Sequence, residues 1–312
     1  MKKFYIILSL IIIFIAIEII KYFVNFVAFY FLFAFQMAIA IACIVLLCLK
    51  PKHKIILSTS FVFSLIFLIT PILIGLARIE PLPVTFNYVI HAGGGMDGTP
   101  YLNSQEGFLQ NVQNGQKYIE VDFLYTSDDK IVASHLFEHN DGFNLKNRPT
   151  YDEFTSYKLE GKYTGMTFEW LLDQLEIFDD INIIFDTKES DSLSLLQDMV
   201  QIASARNFDI YSRFIIQVYS LENYHDMKEH FDFDRYWYTN YKTEYSPMEI
   251  KKNFADYDDI DTIVLWTSDW WVVNQTGIDL GKDIAVHTVH SQSAVNFLAT
   301  HGVDYIYVDQ LK

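Results

Sequence analysis

Cysteine is nearly absent from this chain. Only Cys43 and Cys48 occur in its 312 residues, and both lie within one apolar run. Everything after Cys48 must therefore hold together without disulfides, by core burial or a bound metal, and a thiolate zinc site is excluded there. Basic charge is the second scarcity. Residues 91–312 carry 16 Lys/Arg against 37 Asp/Glu, a net of −21, whereas residues 1–90 carry seven against two, a net of +5. The pooled value of −16 describes neither part. So acidic a region offers no surface for a phosphate backbone, which argues against nucleic acid as a partner and favours a site that recruits cations. No Gly-x-Ser-x-Gly elbow, His-Glu-x-x-His pair, Walker A loop or dinucleotide fingerprint is found, nor any internal repeat or low-complexity segment. Serine-hydrolase, zincin and nucleotide-binding chemistries lose their usual sequence support.

Charge is missing altogether between Lys21 and Lys50, and residues 26–49 are apolar except for Gln36. A membrane-spanning helix needs roughly 20 such residues. Spans are expected at about 26–49 and 55–77, the second tolerating Pro71 inside a bundle. Residues 5–20 form a third candidate, short and marked by Glu18, which also reads as an uncleaved signal-type or interfacial helix. Lys50, Lys52 and Lys54 fill the loop between the two longer runs, and positive loops stay cytoplasmic. The expectation is a multi-pass cell-membrane protein, with residues 1–79 as transmembrane region and residues 80–312 as an extracytoplasmic domain.

Within that domain, short β-type runs alternate with helical stretches. The runs lie at about 87–91, 118–123, 182–187, 214–218, 235–239, 262–266, 284–289 and 304–308, with helical patterns such as 104–114, 167–178, 192–205, 221–231 and 292–300 between them. Repeated strand–helix units imply a parallel sheet, and eight of them imply a closed (β/α)8 TIM-type barrel, preferred to an open doubly wound sheet. Asn103 with Glu106 suggests a capping box for the first helix, and Gly115 its stop. Residues 131–135 break the series. Only residues 126–130 separate them from the preceding strand, too few for a parallel crossover, so they should form an antiparallel arm beside the barrel mouth.

Polar side chains recur where apolar runs close. His91 ends Asn-Tyr-Val-Ile-His, and His135 ends Ile-Val-Ala-Ser-His; Glu120 and Asp122 share Tyr-Ile-Glu-Val-Asp-Phe, and Asp186 and Lys188 share Ile-Ile-Phe-Asp-Thr-Lys. Residues two apart on a strand point the same way, so Glu120 and Asp122 face one space, inward if Ile119, Val121 and Phe123 pack against helices. Any single Glu-x-Asp is usually a solvated strand face, but here the next parallel strand also ends in an acid. Three oxygen ligands of this kind select Mg2+ or Ca2+ over zinc. Lys188 reads either as a partner for a phosphoryl oxygen or as a salt bridge to Asp186. Two histidines that titrate near neutrality can take and give a proton. Together these groups point to metal-assisted phosphodiester cleavage. His287 reads as a mouth-lining or supporting residue, Trp266 as a substrate-stacking or packing aromatic, and Gly93-Gly94-Gly95 as a tight turn. His139, His225, His230 and His301 read as structural.

The ordered set His91-Ala-Gly, Asn103-Ser104, Ile119-Glu-Val-Asp122, Thr126-Ser-Asp128, Val132-Ala-Ser-His135, Asp186-Thr-Lys188, Val286-His-Thr-Val and Gly302-Val-Asp-Tyr-Ile-Tyr-Val-Asp309 resembles the glycerophosphodiester phosphodiesterase family. The likeness covers essentially all of residues 87–312. It implies a phospholipase-C-like barrel with a divalent metal at its C-terminal mouth, Glu120, Asp122 and Asp186 as ligands, and His91 and His135 as the acid–base pair. It also implies cleavage of glycerophosphodiesters to an alcohol and glycerol 3-phosphate, through attack by a neighbouring glycerol hydroxyl and opening of the cyclic phosphate by water. Three departures bear on the substrate: Ala92 and Leu136 replace the family's usual arginine and aspartate after the two histidines, and Asp186 stands where most members have glutamate. The alternatives are a lyase-type phospholipase that stops at the cyclic phosphate, and a membrane-anchored scaffold that has lost turnover.

Overall fold

The computed structural model describes residues 86–139 and 142–310. The three apolar segments at 5–20, 26–49 and 55–77 lie outside the described residues; among those described, no helix is long and apolar enough to cross a membrane.

Among the described residues twelve strands follow one another: β1 (Asn87–Ile90), β2 (Tyr118–Tyr125), β3 (Ile131–Ala133), β4 (Lys158–Leu159), β5 (Tyr163–Thr164), β6 (Met166–Thr167), β7 (Asn182–Thr187), β8 (Phe214–Val218), β9 (Arg235–Thr239), β10 (Ile260–Trp266), β11 (Asp283–His287) and β12 (Tyr305–Val308). Eight of them, β1, β2 and β7 to β12, pair in parallel, and β1 pairs with both β12 and β2. The sheet is closed, so the barrel reading holds and the open sheet does not.

Closure divides the core into two layers. Val89, Ile184, Ile215, Trp237, Val264, Ala285, Tyr305 and Tyr307 pack together inside the barrel. Ile119, Val121, Phe123, Ile183 and Phe185 belong to the larger cluster shared with the surrounding helices. Each such buried side chain contributes about 1.5–3 kcal/mol by leaving water, which is where a domain without disulfides finds its stability. Alternation along β2 then turns Glu120 and Asp122 inward.

The short arm behaves as its spacing requires. β3 runs antiparallel to β2, with Phe123 opposite Ala133, and β6 pairs antiparallel on its far side. Thr126 and Asp128 tie the connecting turn, and Asp129 takes a positive φ of 58° there. Helices at Gln105–Gln113, Phe168–Ile177, Ser192–Ala205, Leu221–His230 and Gln292–Ala299 match the expected positions, joined by Pro247–Phe254 and Thr267–Thr276. The expected capping box does not form. Ser104, not Asn103, caps the first helix by accepting from the Gly107 amide, while Glu106 turns to Thr164. Asn103 is unavailable because its side chain is committed to Asp122.

Candidate metal centre and active site

The register of β2 and β7 places Asp122 beside Asp186, with Glu120 beside Ile184 one step earlier. Glu120, Asp122 and Asp186 each present a carboxylate oxygen within 4.8 Å of the other two, and all three residues are buried. Burial, followed by repulsion from Asp122 and Asp186, pushes the Glu120 carboxyl well above its usual range. Burial would raise Asp186 as well, but the Lys188 ammonium and the Tyr219 hydroxyl outweigh it and hold that carboxyl low. Lys188 Nζ lies 2.5 Å from Asp186 Oδ2 and 3.4 Å from Asp122 Oδ1. Burial favours a neutral amine, yet these acids raise its pKa and keep it charged. One lysine against three buried acids leaves negative charge uncompensated. An all-oxygen donor set in that state fits a hard divalent cation.

Each carboxylate also has one oxygen held by a protein donor. The Ala92 amide donates to Glu120 Oε2 at 2.6 Å, Asn103 Nδ2 to Asp122 Oδ2 at 3.0 Å, and the Tyr219 hydroxyl to Asp186 Oδ1 at 2.5 Å. The Ala92 contact depends on a tight turn directly after β1, in which Ala92, Gly93 and Gly94 take φ of 50°, 68° and 92°. A Cβ on Gly94 would sit 2.3 Å from Asn111 Nδ2, so only glycine fits.

His91 opens that turn. Its Nδ1 lies 2.7 Å from Asp309 Oδ1 and its Nε2 3.9 Å from Glu120 Oε2. His135 does not close a strand as its sequence position suggests, since β3 ends at Ala133 and His135 stands in the following loop. That loop holds it instead: His135 Nδ1 is 2.9 Å from Glu138 Oε1, and Glu138 Oε2 accepts from the Leu136 amide. Burial depresses the His135 imidazole, but the Glu138 hydrogen bond and the charge of Asp122 prevail and raise it above the ordinary histidine value. The Tyr101 ring packs 4.8 Å from the rings of both His91 and His135, so the imidazoles flank one phenol.

On the adjoining wall, the His287 ring lies 4.8 Å from those of His91 and Tyr307 and 5.4 Å from that of Trp266. Burial, and then the proximity of His91, lower its pKa to about 3, so it stays neutral. Trp266, 43% exposed, leans on Tyr241 at 5.0 Å and forms the rim. The structure thus brings together all eight residues singled out from sequence. The four histidines expected to be structural have local partners: His139 with Glu160, His225 with Tyr257, and His230 and His301 with the carbonyls of Asp226 and Phe297.

Sequence reasoning missed Tyr101, Asn103, Glu138, Tyr219 and Asp309 as site residues. Tyr219 follows the last residue of β8, so the strand-end rule that found Asp186 would have found it. Asp309 likewise follows β12. Tyr101 and Asn103 sit in a loop at φ of 58° and 46°, where no periodicity announces them.

No family model matches the chain, and no curated protein matches it either. Solved structures do. A glycerophosphodiester phosphodiesterase from Parabacteroides distasonis is 21% identical with a TM-score of 0.54, over 72% of this chain and 92% of its own. One from Agrobacterium tumefaciens is 15% identical with a TM-score of 0.53, over 72% and 97%. A phosphodiesterase from Oleispira antarctica, solved in complex with the product sn-glycerol-3-phosphate, is 16% identical with a TM-score of 0.57, over 72% and 92%. This chain shares their barrel fold.

Proposed function

We propose that this chain is a metal-dependent glycerophosphodiester phosphodiesterase, releasing an alcohol and glycerol 3-phosphate. The observation that carries the reading is convergence: three buried carboxylates, Lys188 and the His91–Asp309 pair meet at the C-terminal mouth of one barrel, beside His135. The fold shared with solved phosphodiesterases supports it. Glu120, Asp122 and Asp186 would hold Mg2+ or Ca2+. Bound there, the ion would supply positive charge to the phosphate oxygens as the pentavalent transition state forms.

The chain's own residues do the rest. Asp309 fixes His91 through Nδ1, leaving Nε2 to take the proton of the attacking hydroxyl. Glu138 fixes His135 in the same way, and its raised pKa suits it to start protonated and to give its proton to the leaving alkoxide. Lys188, whose ammonium bridges Asp186 and Asp122, would offer its charge to a phosphate oxygen of the substrate. Phosphorus NMR of the purified protein with glycerophosphodiesters and Mg2+ or Ca2+ tests the reading. Metal-dependent appearance of glycerol 3-phosphate is expected; a cyclic phosphate as end product would make the protein a lyase, and no product with either metal would refute the enzyme.

The apolar segments before residue 80 and the lysines at 50, 52 and 54 support a membrane-embedded protein whose barrel faces outward. Protease added to intact cells should then cut within residues 86–310, and full protection would reverse the topology.

A further inference from the structure

The Lys188 contacts show which side of Asp186 and of Asp122 faces the centre. Lys188 Nζ approaches Asp186 Oδ2 and Asp122 Oδ1, and these are the partners of the oxygens already held by Tyr219 (Oδ1) and Asn103 (Oδ2). Glu120 follows the same rule, with Oε2 held by the Ala92 amide. Each acid is thus pinned on one oxygen by an uncharged protein donor, and on Asp186 and Asp122 the second oxygen meets only the Lys188 ammonium. The Tyr219 clamp is itself braced. Its ring lies under the Lys242 ammonium at 4.0 Å. A phenol has one proton, and the 2.5 Å contact to Asp186 claims it.

We propose that Tyr219, together with Asn103, acts as a selector of ion size, by confining the acids to one oxygen each. The inference rests on the phosphodiesterase reading for the presence of a metal, but concerns which metal. Three single-oxygen ligands, completed by water and phosphate, suit the small octahedral Mg2+. Ca2+ takes about six to eight oxygens and commonly uses carboxylates through both, which here would require breaking the clamps. Tyr219 is a positioning residue, acting through Asp186.

The test is calorimetric titration of the intact, metal-stripped protein with Mg2+ or Ca2+ alone, without substrate. Mg2+ should bind the native protein more tightly than Ca2+. Tyr219→Phe keeps the ring and its packing but releases Asp186 Oδ1. It should weaken Mg2+ by about 10- to 100-fold, the usual effect of removing a group that orients a ligand, while Ca2+ affinity holds or rises. Asn103→Gly, which tolerates the positive φ at that position, should move the ratio in the same direction. A native preference for Ca2+, or an equal loss of both ions in Tyr219→Phe, would overturn the selector and leave the phosphodiesterase reading intact. Failure of both ions to bind the native protein would remove both.

Discussion

The two walls of the barrel mouth are built on opposite principles. The wall from β1, β2 and β7 gathers charge: His91, Glu120, Asp122, Asp186 and Lys188, with nearly every polar atom tied to another. The wall from β9 to β12 gathers rings: Tyr241, Trp266, His287 and Tyr307, in contact at tilted or edge-on angles and carrying little net charge. On the phosphodiesterase reading proposed above, the first wall would act on the phosphate and the second would hold whatever the phosphate is attached to. Chemistry and substrate choice would then be separable, and substitutions should show it.

The largest effects belong to the charged wall. Asp122→Asn should abolish tight metal binding and lower kcat by more than about a thousandfold, because a bound cation supplies several kcal/mol of transition-state stabilisation. Retained turnover without metal would break the comparison. His135→Ala should lower kcat by about a hundred- to ten-thousand-fold and leave metal binding intact. Loss of both together would make His135 structural. On the aromatic wall, Trp266→Ala should raise KM by about three- to tenfold, the worth of one ring contact, with kcat nearly unchanged. A drop in kcat equal to that of His135→Ala would mean the walls are not separable.

The smallest effects are in stability, and the walls should respond to pH in opposite directions. The depressed His287 pKa means that the unfolded chain binds this proton first. Its contribution is whole above the ordinary histidine value of 6.5 and lost as pH falls toward about 3. Glu120 has a raised pKa in the metal-free protein, so its contribution is present below 4.5 and lost as pH rises through the folded value. Added metal relieves that second loss. Thermal unfolding should show metal raising Tm by about a few degrees at neutral pH and hardly at all below pH 4.5. Equal metal stabilisation at both pH values would contradict the charge-repulsion account of the triad.

The charged wall was legible in the sequence because period-two alternation says which residues of a strand share a side, and strand ends of a parallel barrel share a mouth. Glu120, Asp122 and Asp186 follow from those two rules alone. The groups that hold them do not. Asn103 reaches Asp122 from a loop with left-handed backbone, and its sequence context suggests a helix cap instead. Glu138 meets His135 only because the chain leaves β3 two residues early. The aromatic wall was half visible: Trp266 and His287 end strands, whereas Tyr241 is placed by a short turn after β9. Loop geometry depends on tertiary contacts, which a pattern of strand ends cannot carry.

The pairing of His91 with Asp309 spans 218 positions, from the first strand to just past the last. On the proposed reading, His91 could not be set as a proton acceptor until the final segment had been made and had docked, however early Glu120, Asp122 and Asp186 find one another. On that reading, nascent or shortened chains would assemble the three acids before they could position the imidazole. Competence arrives last, with the closing of the ring.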